Sequence, residues 1–348
     1  MSPLFRLLPT VAASLALLTA CAGQNILSPS AGTPSVSSSL NARPAVKRSG
    51  GPTVYAESIN ASGLPFVAVF SKGGASFSRK IQHGASLAAD ASGNVYIAHD
   101  PVTVYSDAGK TLVQKFRVKN GPRALVYGDA ITADGLGDFY VECGHRLVCE
   151  YKIGDQGPIR ELSVGRFSAI ATDSSGNLYL AVDNAVLVYS PGSTSPQRTI
   201  TSGVVGPEAL TVDPQGNLYV ANASAGTNDT PDIAVYAPGD SSPTRTISQG
   251  ITNPSMLRTD SSGNLGVLNF TNIAIYASGS NSPSKVITQG IAGAASMAFD
   301  QSNNLYVANV GATNSDPGSI TVYAAGTYSL SETITKNIKR SSSVVVGP

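Results

Sequence analysis

The chain has 348 residues, of which 13% are charged, and its formal net charge at pH 7 is +1. This balance excludes a strongly basic or acidic surface, so we expect no nucleic acid partner. The 35 glycines and 21 prolines indicate a protein with many turns. A chain of this length ordinarily divides into two domains, but a closed array of repeats grows by adding units. We therefore expect one folded domain, over residues 53–348.

The first 21 residues have the pattern of an export signal. Arg6 precedes an apolar stretch over residues 7–18, which is too short to span a bilayer as a permanent helix. Residues 18–21 read Leu-Thr-Ala-Cys and resemble the lipobox of bacterial lipoproteins, whose cysteine takes the lipid. The resemblance implies lipidation at Cys21 and an exported, membrane-anchored lipoprotein, periplasmic or at the cell surface. The alternative is an ordinary secretory peptide in which Cys21 has no role.

Residues 22–52 are rich in Ser, Pro, Ala, Gly and Asn and have no sustained apolar period. This composition predicts a disordered tether between the anchor and the folded domain.

Three predicted strands follow the tether, at residues 54–57, 67–70 and 79–81. They match the second, third and fourth strands of a repeat that then recurs six times, but no first strand precedes them. The sequence therefore predicts an incomplete unit at the start of the folded domain.

The repeat has a period of about 40 to 47 residues and contains four short strands, which predicts a β-propeller. Its first and second strands are joined by the motif D-x-x-G-N, in which we expect the Asp to cap a tight turn and the Gly to adopt a positive φ. The motif occurs at residues 90–94, 173–177, 213–217 and 260–264, with weaker forms at 134–138 and 300–304. The third strand ends on a tyrosine, and the fourth begins R-T-I in two copies.

Cys143 and Cys149 flank a short predicted turn between the second and third strands of one repeat. We expect them to lie opposite each other on an antiparallel pair and to form a disulfide in an oxidising compartment.

The C-terminal residues 343–346 align with the first strand of the preceding repeat. This segment therefore completes the N-terminal unit and closes a ring of seven four-stranded blades, which removes two open sheet edges.

The motifs V-D-P-Q-G-N-L-Y-V-A-N at residues 212–222 and I-A-V-Y at residues 233–236 resemble those of NHL-type propellers and related bacterial repeat lipoproteins. The resemblance covers residues 53–348. It implies the architecture strongly and the chemistry hardly at all.

Departures from the repeat are the candidate ligand-binding residues at the mouth of the channel. These residues have polar or charged side chains, whereas the other repeats carry mostly Ala, Thr or Asn. They are Glu57, His99, Glu142, His145 and Arg258. Arg258 lies on a first strand, where it either pairs with a carboxylate such as Glu208 or holds an anionic ligand.

We expect a non-catalytic binding or scaffolding module at the cell envelope, acting as a monomer on an unidentified protein or small molecule, without a cofactor, metal ion or catalytic residue. The alternative is a metal-dependent lyase or lactonase on the same fold, in which Glu57, His99, Glu142 and His145 serve as ligands or general base, as resemblance to streptogramin lyases implies. A purely structural envelope role is the third hypothesis. Three histidines in the whole chain and no G-x-S-x-G or H-E-x-x-H motif weigh against an enzyme.

Overall fold

The structure is a computed structural model that describes residues 51–60, 62–82, 86–99, 101–106, 108–118, 131–144, 146–225, 230–313 and 316–348. The export signal, Cys21 and most of the predicted tether lie outside the described residues, and so does His145. No helix in the described part of the chain is long and apolar enough to cross a membrane.

Seven antiparallel sheets of four strands each form the predicted propeller. Within each blade the strands run from the channel outward in sequence order, except in blade 1. Blade 1 consists of β28 (Val344–Gly347), β1 (Thr53–Ile59), β2 (Pro65–Ser71) and β3 (Ser76–Gln82); blade 2 of β4 (Ser86–Ala89), β5 (Val95–Ala98), β6 (Val102–Ser106) and β7 (Thr111–Phe116); and blade 3 of β8 (Ile131–Ala133), β9 (Asp138–Gly144), β10 (Leu147–Lys152) and β11 (Arg160–Ser163). Blade 4 consists of β12 (Phe167–Thr172), β13 (Leu178–Val182), β14 (Ala185–Tyr189) and β15 (Arg198–Ile200); blade 5 of β16 (Pro207–Val212), β17 (Leu218–Ala225), β18 (Thr230–Tyr236) and β19 (Arg245–Ile247); blade 6 of β20 (Met256–Thr259), β21 (Leu265–Leu268), β22 (Ile273–Tyr276) and β23 (Lys285–Ile287); and blade 7 of β24 (Ala294–Phe299), β25 (Leu305–Asn309), β26 (Ser319–Tyr323) and β27 (Leu330–Ile334).

The C-terminus closes the ring, as the sequence predicts. Strand β28 pairs with β1 in antiparallel register, with Val344 opposite Ala56 and Val346 opposite Val54. The innermost strands of consecutive blades contact one another in cyclic order, and β28 contacts both β24 and β4. Closure therefore leaves neither β1 nor β24 at an open edge of the ring.

The core is divided among the seven junctions between blades. Each junction has its own cluster of buried apolar side chains, contributed by the facing sheets of two neighbours. The second strands, such as β5 and β21, are buried along their whole length because both of their faces pack against neighbouring blades.

The Asp of D-x-x-G-N has the structural role predicted for it. In blade 5, Asp213 accepts hydrogen bonds from the backbone N–H groups of Gln215 and Asn217, at 3.0 and 2.8 Å, and from the Asn217 side chain at 2.8 Å. Gly216 adopts a φ of 85°. In blade 7 the glycine position is occupied by Asn303 at a φ of 65°, a conformation that asparagine tolerates better than most residues.

One position on the fourth strand makes a contact with the next blade in four of the seven blades, and we call the residue at this position the clamp residue. It lies opposite the third strand at the same register position in every blade: Arg79, Gln114, Arg160, Arg198, Arg245, Lys285 and Glu332. Arg79, Gln114, Arg160 and Arg245 each donate to a backbone carbonyl in the turn between the third and fourth strands of the next blade: Ala108, Asp155, Ser190 and Ser280, respectively.

Cys143 and Cys149 are joined by a disulfide, with their Cα atoms 5.6 Å apart. The expectation that they lie directly opposite each other is wrong, because Cys149 pairs with Val141 and Val148 pairs with Glu142. A β-bulge shifts the register beside Leu147, and the bridge therefore runs diagonally across the pair.

Candidate functional site

The innermost strands surround a central cavity of about 310 Å³. It is lined by Leu87, Ala88, Ala89, Ile131, Thr132, Ala133, Ile170, Ala171, Thr172, Leu210, Thr211, Val212, Arg258, Thr259, Ala298, Phe299, Val345 and Val346. Arg258 is the one charged residue among these described lining residues. The channel is therefore a narrow space with a positive charge on one wall, which favours an anion over a cation or a neutral molecule.

A paired substitution in blade 6 places Arg258 in this channel. In the other six blades a small residue or valine on the first strand lies opposite a tyrosine on the second, as Thr211 lies opposite Tyr219. In blade 6, Arg258 lies opposite Gly266. A Cβ atom on Gly266 would lie 3.3 Å from the ring of Phe299, so that ring from blade 7 occupies the space beside the glycine.

The hydrogen bond of the replaced tyrosine is also restored from blade 7. In blade 5, the hydroxyl of Tyr219 donates to Asp213 over 3.2 Å, and blades 2, 4 and 7 repeat this contact. In blade 6, the side chain of Tyr328 hydrogen-bonds Asp260 instead, and burial raises the pKa of Tyr328 to about 12. Blade 6 therefore keeps the hydrogen bond to the Asp of its D-x-x-G-N turn, although its second strand has lost the tyrosine and its first strand carries an arginine.

Two of the four threonines that line the channel already use their hydroxyl protons within the ring. The hydroxyls of Thr172 and Thr259 donate to carbonyls of the preceding first strand, Ala133 at 3.2 Å and Val212 at 3.3 Å. The Arg258 guanidinium donates to the Leu257 carbonyl over 2.9 Å through Nη1, and its planar array of N–H groups matches the oxygens of a carboxylate or phosphate.

Glu57 lies on β1 and is covered by the C-terminal segment. Its backbone N–H donates to the Ser343 carbonyl over 2.9 Å, and the Lys339 N–H donates to the neighbouring Ser58 hydroxyl over 2.9 Å. Burial raises the pKa of Glu57 to about 7, while a backbone hydrogen bond from Ser342 acts in the opposite direction. Glu57 is not among the residues that line the channel.

His99 follows β5, at the position that asparagine occupies in blades 5, 6 and 7. Those asparagines hydrogen-bond the loop that precedes the first strand of their blade. Asn222 accepts from the Val205 N–H and donates to the Gly203 carbonyl, both over 3.0 Å. This pattern shows that the position is structural in the blades that carry asparagine. Glu142 is half-buried on β9, and neither it nor His99 lines the channel.

The described residues contain no group of three or more His, Cys, Asp or Glu side chains placed to hold a metal ion. Of the candidates read from the sequence, the structure puts Arg258 in the channel and Glu57, His99 and Glu142 at the ends of second strands in blades 1, 2 and 3. What sequence reasoning missed is the accompanying Gly266. The signal was available, because L-G-V-L replaces L-Y-V-A at residues 265–268.

Comparisons with known proteins agree on the fold and add little on chemistry. A family model described as "Strictosidine synthase-like, N-terminal" matches residues 196–224, which run from blade 4 into blade 5. A chain in the crystal structure of a mitotic checkpoint complex superposes with a TM-score of 0.57 at 13% identity, covering 75% of this chain and 79% of that one. Altogether 1084 chains of solved structures match, a breadth that fits a common architecture with many functions. No curated protein matches the chain.

Proposed function

We propose that this protein is an exported lipoprotein whose propeller is a non-catalytic binding module, and that the central channel binds a small anion. The observation that carries the proposal is Arg258, the one charged group among the described residues that line a cavity of about 310 Å³. The ring of blades encloses this charge in a narrow channel, where an ion pair is stronger than it is in open water.

Calorimetric titration with inorganic phosphate and with acetate tests whether the channel binds an anion. We expect at least one of the two anions to bind the wild type and to lose at least about tenfold in affinity in Arg258→Gln, because the variant keeps the hydrogen-bonding length but removes the charge. Arg166→Gln is the control, because Arg166 is exposed and does not line the channel. Equal affinity in the wild type and Arg258→Gln, or no binding of either anion, would contradict the proposal.

An enzymatic role is the second candidate, and the short match to the strictosidine synthase-like model is the observation that favours it. A metal-dependent lyase or lactonase would need a divalent cation near residues such as His99 or Glu142. Titration with magnesium, calcium and manganese, followed by activity assays with lyase and lactonase substrates, distinguishes the enzymatic role from the binding role. Micromolar metal binding that is lost in His99→Ala, together with turnover, would replace the binding proposal.

A further inference from the structure

A second cavity, of about 550 Å³, lies at the junction of blades 4 and 5, on the side of the D-x-x-G-N turns. One wall is the turn and fourth strand of blade 4, and the other is formed by two turns of blade 5. The cavity is lined by Asp173, Ser174, Ser175, Asn177, Tyr179, Gln197, Arg198, Pro214, Gln215, Gly216, Pro238 and Gly239.

The arginine in this cavity is the clamp residue of blade 4. By analogy with the other blades, Arg198 would donate to the turn between β18 and β19. That turn has the same internal hydrogen bond as its counterpart in blade 6, since Asp240 N–H donates to the Ala237 carbonyl over 3.0 Å and Ser280 N–H donates to the Ala277 carbonyl over 2.9 Å. The blade 6 turn accepts from Arg245 over 2.8 Å.

Arg198 does not make the clamp contact. Within the described residues its guanidinium forms no hydrogen bond, and its Nε atom is buried without a partner. Its Nη1 atom lies beside the blade 5 turn, 4.0 Å from where a Cβ on Gly239 would be. The Nε of Arg79, which does make the clamp contact, is buried without a partner as well, so the feature particular to Arg198 is that its Nη atoms also lack an acceptor among the described residues. A guanidinium with no protein acceptor favours an acceptor supplied by a ligand.

The rest of the lining indicates what kind of acceptor fits. Two serines, an asparagine and two glutamines offer hydrogen bonds to hydroxyl groups, while Pro214, Pro238 and the ring of Tyr179 supply apolar faces. The Asp173 carboxylate lies on the same wall. It is engaged by Asn177 at 2.8 Å and by the Tyr179 hydroxyl at 3.0 Å, and it would repel a dianion more strongly than a monoanion.

We propose that the junction of blades 4 and 5 is a binding site for a small hydroxylated monocarboxylate, of the size of a sugar acid, with Arg198 holding the carboxylate. The planar guanidinium pairs with both carboxylate oxygens, and the serine and amide side chains receive the hydroxyls. The site is separate from the central channel and does not depend on Arg258.

Sodium glucuronate is the probe, with glucose as its neutral counterpart and inorganic phosphate as the competing anion. Calorimetry should show glucuronate binding to the wild type, to Arg258→Gln and to Arg245→Gln, with a loss of at least about tenfold in Arg198→Gln. Arg198→Lys should bind with intermediate affinity, because it keeps the charge and loses the two-pronged geometry. Glucose should bind no more than weakly to any of them.

Thermal unfolding supplies the readout that separates a ligand site from a clamp. Arg245→Gln should lower Tm by about 3 °C, since Arg245 holds the next blade, whereas Arg198→Gln should leave Tm within about 1 °C of the wild type. A loss of Tm in Arg198→Gln equal to that in Arg245→Gln would overturn the proposal, and so would glucuronate binding that is absent or unaffected by Arg198→Gln. Equal affinity for glucuronate and glucose, or tighter phosphate binding that is lost in Arg198→Gln, would overturn the choice of a monocarboxylate.

Discussion

At the scale of single residues, the positions that depart from the repeat have structural explanations as often as chemical ones. Glu57 is a candidate ligand in the sequence because other blades carry a small residue there. In the structure its backbone is tied to Ser343, and the C-terminal segment covers it. The Glu57 side chain is therefore half-buried at the point of ring closure.

This burial predicts a pH dependence of stability. The pKa of Glu57 in the folded protein is raised to about 7 from its ordinary value of 4.5, so its contribution to stability is fully present below about pH 4.5 and is lost as the pH rises to about 7. The loss is on the order of 3 kcal/mol. We expect Glu57→Gln to be more stable than the wild type at pH 8 by a similar amount.

Urea unfolding from pH 4.5 to 8 measures this effect. The difference between the wild type and Glu57→Gln should grow across that range, while the exposed residue Glu161, changed to Gln as a control, should give no such trend. Parallel pH profiles for the wild type and Glu57→Gln would show that Glu57 is not buried as described.

At the scale of elements, the pair β9 and β10 carries the disulfide of Cys143 and Cys149. Both cysteines are buried, at 2% and 3% exposure, within the cluster between blades 2 and 3. The closed loop is short, so we expect the bridge to contribute only about 2 kcal/mol.

Thiol labelling of a denatured domain, residues 22–348, tests the bridge. No thiol should react before reduction and two should react afterwards, because Cys143 and Cys149 are the only cysteines after Cys21. Two reactive thiols without reductant would exclude the disulfide. Replacing both cysteines with alanine gives its contribution by urea unfolding.

Strand β28 is the element on which ring closure depends. Val344 is 1% exposed and packs between blades 7 and 1, in the cluster that also contains Val54 and Ile320. We expect removal of residues 342–348 to lower the free energy of unfolding by at least about 4 kcal/mol, from the loss of valine burial and of a paired strand.

A milder variant keeps this prediction testable if the truncated chain does not fold. Val344→Ala should cost about 2 kcal/mol, and Val286→Ala, at an exposed position on β23, should cost almost nothing. Equal unfolding midpoints for Val344→Ala and the wild type would contradict the role of β28.

At the scale of the whole molecule, the seven blades share one four-stranded order and differ in what their junctions contain. Most junctions have a clamp between a fourth strand and the next blade, the junction of blades 4 and 5 has a cavity instead, and blade 6 turns an arginine into the channel. We expect functional residues in such a ring at positions that depart from the repeat, because the residues that follow the repeat are needed for packing.

The lipid anchor proposed for the N-terminus would hold the whole ring at a membrane. We expect the mature protein to begin at Cys21, to carry added lipid mass and to partition into membranes, since two or more acyl chains give a stable anchor. Intact-mass analysis and membrane fractionation of Cys21→Ser test this. A Cys21→Ser protein that stays in the membrane fraction, beside a wild type without lipid mass, would contradict the proposal.

The number of blades, the order of strands within them and the closure by residues 343–346 all follow from the sequence pattern. The blades and their strand order are encoded within about one repeat each, by short apolar strands and by local turns such as the one that Asp213 caps. The closure follows from the first strand that is missing at the start of the folded domain and present at its end. Which departures from the repeat form a candidate site depends on the tertiary structure. Arg258 faces the channel beside Phe299, Glu57 is covered by the C-terminal segment, and Arg198 does not contact the turn that its position predicts. Arg258 and Glu57 stand out in the sequence as departures from the repeat, but the contacts of all three residues depend on side chains from different blades, whose approach is set by the geometry of the closed ring.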